Sequence, residues 1–328
     1  GLMSVDPRTG YVKAYVGGNS LKHFKYDHVM EGKRQPGSLF KPFLYVLAWQ
    51  EGYSPCKKVP VVPQIFEDPV NDTTWQPRTT GTKYIGTQQT LKWGLAKSEN
   101  LISAWLLKQF NPQSIVDIAH KVGIESPIDP VPSMIYGVSD MRVYEMVSAF
   151  GTFANKGVNI QPIFVTRIED KNGNLLSTFM PRLEEAINDQ TAYLMLNAMK
   201  EATNSGTAIR LRTYFQFEAE IASKTGTTQN HSDGWFMGIV PNLVTGIWVG
   251  AEDRSVHFDE LSLGSGSNMA LPIWGHYMSK VYADSILNIT QKDTFEVPEY
   301  LGVEVDCDAY ERNTYDTPVD YSPVEIGY

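Results

Sequence analysis

The chain of 328 residues holds only two cysteines, Cys56 and Cys307, too few for a disulfide framework, and neither sits in a Cys-x-x-Cys or other metal-ligand spacing. A single bridge between them would need an oxidising compartment, and the expectation is that they stay apart. The six histidines fall in no His-x-x-x-His or His-Glu-x-x-His pattern, so neither a metal nor a cofactor is expected. There is no run of eighteen or more apolar residues and no signal peptide. The abrupt entry into a β-rich stretch suggests a piece of a longer protein, with its targeting information on the missing part. Positive charge is scarce as well. The formal charge is -9, but residues 296–328 carry nine acids and one arginine, so the rest of the chain is close to neutral. No basic face is on offer, which argues against a nucleic-acid partner. What remains is a chain that is 42% hydrophobic, enough for one large domain or two packed subdomains.

Residues 2–5 and 11–16 are β-rich and flank Asp6-Pro7-Arg8-Thr9-Gly10, a turn composition, which predicts a hairpin. From Ser38 onward Phe40, Phe43, Leu44, Leu47 and Ala48 recur at helical spacing, and Tyr45, Val46 and Trp49 fill the other faces. This predicts a helix buried almost all round and ended near Gly52. Residues 54–89, dense in Pro, Thr and Gly, read as loop. Helical patterns follow at 99–109, 114–122, 141–155 and 188–202. Strands return at 220–224, 235–240 and 243–249, with Pro241-Asn242 as a turn, and a last helix is expected at about 270–283. Strands at both ends and helices between them predict an α+β fold, in which the first hairpin joins the C-terminal meander in one antiparallel sheet and a helical subdomain is inserted. Residues 1–295 are read as this domain, and 296–328 as a solvated or weakly docking acidic tail.

Ser38-Leu39-Phe40-Lys41 sets a hydroxyl and an amine three residues apart, on one face of a helix and within reach of each other. That suits a nucleophile and its base. Gly37 permits close backbone approach, Ser38 at a helix start has an unpaired N–H, and Pro42 lacks the N–H that would bond the Ser38 carbonyl. For Lys41 to accept a proton near pH 7, its pKa must fall from roughly 10.4 by about three units, or roughly 4 kcal/mol, which burial beside another cation supplies. A capping serine followed by a surface lysine is the plainer reading of the spacing alone. Ser54-Pro55-Cys56-Lys57 repeats that spacing, but only the Ser38 copy opens a buried helix.

Ser98-Glu99-Asn100 begins the next apolar helix. Ser98 is either its cap or a proton relay between Lys41 and a leaving amine, with the Asn100 amide holding a substrate backbone. Lys224-Thr225-Gly226-Thr227-Thr228 ends a strand and lacks the Gly-x-x-x-x-Gly that a phosphate loop needs before its lysine. It reads either as a polar strand end with a glycine bulge or as an edge that binds an extended peptide. In the second reading Gly226 gives clearance, Lys224 gives charge, and Thr225, Thr227 and Thr228 grip a carboxylate.

In this order, Ser-x-x-Lys, Ser-x-Asn and Lys-Thr-Gly form the combination found in penicillin-binding proteins and class A β-lactamases. The chain further resembles class A, bifunctional penicillin-binding proteins. The likeness is carried by Arg34-Gln35-Pro36-Gly37-Ser38 with Lys41-Pro42-Phe43, Thr90-Leu91, Gly206-Thr207-Ala208, Asp233-Gly234-Trp235-Phe236-Met237-Gly238 and Ala270-Leu271-Pro272-Ile273-Trp274. It covers residues 1 to about 283. Gly264-Ser265-Gly266 departs from the paired glycines frequent in the family.

The resemblance implies a five-stranded antiparallel sheet covered by helices, with the site in a cleft between sheet and helical subdomain. It implies a D,D-transpeptidase that crosslinks peptidoglycan stem peptides through an acyl-enzyme and is acylated by β-lactam antibiotics. Catalysis would fall to Ser38, Lys41, Ser98 and Lys224, and substrate binding to Asn100, Thr225, Gly226, Thr227 and Thr228. An upstream glycosyltransferase domain, a membrane anchor and an extracytoplasmic, periplasmic location are implied too. A D,D-carboxypeptidase, a β-lactamase and a non-catalytic β-lactam sensor are the alternatives. A β-lactamase needs a second base between the second and third motifs, and Glu145, Glu169, Glu184 and Glu185 lie there without that motif's context.

Overall fold

In a computed structural model, all residues are described except 21, 23–24, 69–72, 80 and 316–328, so the end of the acidic tail lies outside the described residues. Five strands, β1 (Leu2–Val5), β2 (Val12–Val16), β3 (Ala222–Thr227), β4 (Asp233–Val240) and β5 (Leu243–Gly250), form one antiparallel sheet in the order β3-β4-β5-β1-β2. The N-terminal hairpin joins the C-terminal meander as expected, with Leu2 opposite Ile247. β4 is buried along its whole length because both faces of the sheet are covered. Its side chains alternate with the period of a strand. Trp235, Met237 and Ile239 enter the larger core, whereas Phe236 and Val240 enter a second one with Trp274 and Met278.

The helical block comprises α1 (Lys41–Gln50), α2 (Leu91–Ala96), α3 (Asn100–Leu107), α4 (Pro112–Lys121), α5 (Val143–Ala154) and α6 (Asp189–Asn204). It meets the sheet through α5 and α6, while α7 (Leu271–Ala283) lies against β4 and β5 in the second core. α1 is buried almost all round, as its spacing predicts, but it begins at Lys41. Ser38 sits in a preceding 3-10 turn, Gly37–Phe40, because Pro42 has no N–H to give the Ser38 carbonyl. Residues 54–89, read as loop, contain two small ladders, Lys58–Pro60 with Gln88–Thr90 and Phe66–Asp68 with Thr73–Trp75. Strands of three residues are too short to display a period.

The C-terminal segment differs most from expectation. Cys56 and Cys307 are bonded to each other across a separation of 251 residues, where they were expected to stay apart. Distance along the chain carries no information about which surfaces a returning segment meets. Phe295 is buried, Val303 and Val305 pack against the larger core, and Ser54 Oγ donates to the Glu304 carbonyl at 2.7 Å. Lys58 pairs with Glu311 at 2.6 Å on α8 (Cys307–Tyr315). The acidic average hides an apolar pattern. Val303, Val305 and Cys307 alternate, a spacing that sets three apolar side chains on one side of an extended chain.

Candidate active site

The segment carrying Ser38 and the strand carrying Lys224 meet backbone to backbone. β3 is the outer strand of the sheet, and a Cβ on its Gly226 would stand 2.2 Å from the Pro36 carbonyl oxygen. Gly37, in the left-handed region at φ +57°, lies so close to Thr227 that a Cβ there would come within 2.6 Å of the Thr227 carbonyl. The clearance at Gly226, expected to serve a bound peptide, is thus taken up by the chain's own Pro36. Trp235 adds an indole N–H donated to the Gln35 carbonyl at 2.9 Å. The crossing brings Ser38 beside Thr227.

Lys41, the first residue of α1, is fully buried. Its amine donates to the Ser98 carbonyl at 2.6 Å and to Asn100 Oδ1 at 2.7 Å, and it lies 3.4 Å from Ser98 Oγ. Lys224, equally buried, donates to the same Ser98 Oγ at 2.9 Å. One hydroxyl therefore bridges two amines. Burial lowers the Lys41 pKa to about 7, partly opposed by the Glu99 carboxylate. Burial first, and then the charge of Lys41, hold Lys224 well below the ordinary lysine range. Two cations sharing one hydroxyl in a dry interior repel, so removing a proton from either relieves the other.

Ser98 reaches this position through its backbone, which stands in the left-handed region at φ +57°, uncommon for a residue with a side chain. It is not the helix cap considered above. Glu99 caps α3, its carboxylate accepting from the Leu101 N–H at 3.2 Å. Asn100 gives a side-chain N–H to the Arg78 carbonyl at 2.6 Å, which turns its Oδ1 towards Lys41. The amide expected to hold substrate is thus in the first place an orienting group for the lysine.

Ser38 is half-buried and opens onto a cavity of about 580 Å³ that Ser98, Asn100, Thr225, Thr227 and Thr228 also line. A second cavity, of about 420 Å³, shares Ser38, Asn100, Thr227 and Thr228 and runs towards Tyr136 and Arg254. Thr225 Oγ1 donates to Thr207 Oγ1 at 2.9 Å, and Thr227 Oγ1 accepts from the Gly266 N–H at 3.0 Å. Thr228, expected among the carboxylate-gripping hydroxyls, instead accepts from the Asp233 N–H at 3.0 Å and is committed to the start of β4. Sequence reasoning missed Thr207 as a neighbour of the site, although Gly206-Thr207-Ala208 stood out as a family-like string. It also missed Tyr136, whose ring centroid lies 5.6 Å from Lys41 Nζ and whose hydroxyl donates to the Asn100 carbonyl at 3.1 Å; no pattern in the sequence points to it.

A hydroxyl at a cleft, a buried amine poised to lose its proton near neutrality, and a second amine on an edge strand are the parts a serine acyltransferase needs. The chain belongs to the penicillin-binding protein transpeptidase domain family, whose family model matches residues 1–250. It is 31% identical to penicillin-binding protein 1A of Aquifex aeolicus over 300 residues, covering 90% of this chain and 39% of that protein. Penicillin-binding protein 1A of Pseudomonas aeruginosa is 28% identical, with coverages of 86% and 40%, so the chain spans about two-fifths of the length of these curated relatives. The crystal structure of penicillin-binding protein 1A from Haemophilus influenzae shares the fold, with a TM-score of 0.82 at 23% identity over 91% of this chain and 49% of that one. PonA1 from Mycobacterium tuberculosis, solved in complex with penicillin V, has a TM-score of 0.70 at 26% identity, covering 93% and 82%. Among the described residues no helix is long and apolar enough to cross a membrane.

Proposed function

We propose that this chain is the D,D-transpeptidase part of a longer wall-building enzyme, anchored at the extracytoplasmic face of a membrane and carrying a glycosyltransferase domain upstream. Ser38 Oγ attacks the carbonyl between the two terminal D-alanines of a stem peptide, and Lys41 takes its proton. The carbonyl carbon gains the bond to Ser38 Oγ and loses the bond to nitrogen. Ser98, steadied by Lys224, passes a proton to the departing D-alanine amine. Backbone N–H groups of Ser38 and Thr227 receive the oxyanion. Lys224, Thr225 and Thr227 recognise the terminal carboxylate, Gly226 and Thr228 shape the strand edge they stand on, and Asn100 orients Lys41 and meets the donor peptide. An acceptor amine then attacks the ester, forms the crosslink and returns the proton to Ser38.

The observation that carries this reading is the fully buried Lys41, with its pKa near 7, bonded to Ser98, which in turn bonds Lys224 behind the cavity that Ser38 opens. The cleft extends from Ser38 in two directions, towards Thr207 and Asn268 and towards Tyr136 and Arg254, which gives room for an acceptor beside a bound donor. Glu145 is engaged elsewhere, accepting from Ser126 Oγ at 2.8 Å and from the Arg142 N–H at 2.9 Å, while Glu169, Glu184 and Glu185 are exposed. Neither cavity is lined by any aspartate or glutamate among the described residues, so no carboxylate is placed there to act as base for a hydrolytic water. The penicilloyl ester should therefore persist for minutes or more. Turnover of benzylpenicillin faster than about one per second, at the low end of ordinary enzyme rates, would mean a β-lactamase instead. Failure to release D-alanine from a stem-peptide mimic by a chain that still takes penicillin would favour the sensor.

A further inference from the structure

Two stretches that this mechanism leaves unused, Arg34-Gln35 ahead of the nucleophile and Asp233 at the start of β4, are joined in the interior. Asp233 is completely buried. Its Oδ1 accepts from the Trp248 indole N–H at 2.9 Å and faces Arg34 Nη1 at 3.8 Å. Its Oδ2 accepts from the Ser232 hydroxyl at 2.7 Å. The Arg34 guanidinium lies 4.7 Å from the centre of the Trp248 ring and donates to the carbonyls of Ala251 and Glu252, the latter at 2.7 Å. On the opposite side, the Asp233 N–H donates to Thr228 Oγ1 at 3.0 Å, and that oxygen is 3.3 Å from Ser232 Oγ. Donation can run round this loop from the Asp233 N–H to Thr228, from the Thr228 hydroxyl to Ser232, and from the Ser232 hydroxyl back to the Asp233 carboxylate, the shorter of two contacts for that proton, the other being Asn230 Oδ1 at 2.9 Å.

The two arms end on the two segments that carry the backbone amides proposed for the oxyanion. Arg34 belongs to the segment that runs into Ser38, and Thr228 follows Thr227. We infer that Asp233 is a positioning residue: one carboxylate oxygen faces Arg34, the other holds Thr228 through Ser232, and together they fix the spacing of the Ser38 and Thr227 N–H groups. A buried ion pair is by itself weak evidence even for stability. Here both arms of one carboxylate lead to the segments that carry one pair of amides. Such donors work only at hydrogen-bond distance from the developing charge, and a displacement near 1 Å costs about a hundredfold.

The inference rests on the acyl-transfer reading, and the test separates the two. Asp233→Asn keeps the shape and the acceptor for Trp248, removes the charge facing Arg34 and puts an N–H donor where Oδ2 accepts from Ser232. In the full chain, the second-order rate constant for acylation by benzylpenicillin should fall about 10- to 100-fold, with the midpoint of its pH profile unmoved because Lys41 and Ser98 are untouched. A residue that serves folding alone would lower the thermal midpoint and the labelled fraction while leaving the rate constant of folded molecules within twofold, and that result overturns the inference. A displaced pH midpoint overturns it too, since Asp233 would then act through Lys41. Should Asp233→Asn not fold, Ser232→Ala opens the hydrogen-bonded loop alone. At least about threefold slowing at an unmoved midpoint supports the inference, and a wild-type rate overturns it. A wild-type chain that takes no penicillin at Ser38 refutes the acyl-transfer reading itself.

Discussion

Ser38 with Lys41 and Ser54 with Lys57 share one spacing at the two ends of the same helix, and the fold makes different objects of them. Ser38 opens onto a cavity, whereas Ser54 is buried, accepts from the Cys56 N–H at 3.0 Å and donates to the Glu304 carbonyl. Lys41 is sealed among α1, α3 and Tyr136, whereas Lys57 is half-buried with its amine 4.3 Å from the centre of the Tyr53 ring. Spacing decides whether two groups can meet, and the surroundings decide what they can do. Burial that outweighs the nearby Glu99 carboxylate brings a lysine's pKa to about 7; a carbonyl from a returning segment turns a serine into a docking point.

The comparison breaks most sharply at the two serines. Ser38→Ala should abolish the penicilloyl adduct, while Ser54→Ala should acylate within twofold of wild type and lose about 1–3 kcal/mol of stability, because two buried backbone groups lose their partner. Denaturant melts and stopped-flow acylation read both. At the lysines, Lys41→Met should slow acylation at least about a hundredfold and Lys57→Met should change it little, since general-base help contributes about 10²–10⁴-fold. The wild-type rate should climb with pH and level off above about 7, where Lys41 has lost its proton. The sign carries over to stability. Between about 7 and the ordinary value of 10.5 the unfolded chain binds a proton that the folded chain refuses, so the contribution of Lys41 to stability improves as pH rises through that window. The smallest effect on chemistry belongs to the bridge beside the Ser54 copy. Cys307→Ser should cost about 2–4 kcal/mol of stability, yet leave acylation within about twofold.

Much of the fold was legible because its signals are local. The continuous run of β4, the turn at Pro241-Asn242 and the helical spacing of α1 each need only a few neighbouring residues. The three motifs were legible as strings for the same reason, and the fold brings Ser38, Lys41, Ser98, Asn100 and Lys224 to one cleft. What escaped lies in tertiary contact or in backbone shape. Ser98 looked like a helix cap because a serine before an apolar helix is usually one, and nothing in its identity announces a left-handed φ. Gly226 looked like room for a peptide, but the group that fills the room, Pro36, comes from the other end of the chain. The Cys56–Cys307 bond and the packing of Val303 and Val305 were hidden by the acidic average around them.

Burial and a bridged pair of amines, rather than the Ser-x-x-Lys spacing, single out Ser38. Benzylpenicillin added to the wild-type chain, followed by intact-mass measurement and peptide mapping, tests this most directly. One covalent equivalent on the peptide containing Ser38 is the predicted result. An unchanged mass, or an adduct on the peptide containing Ser54, would contradict it.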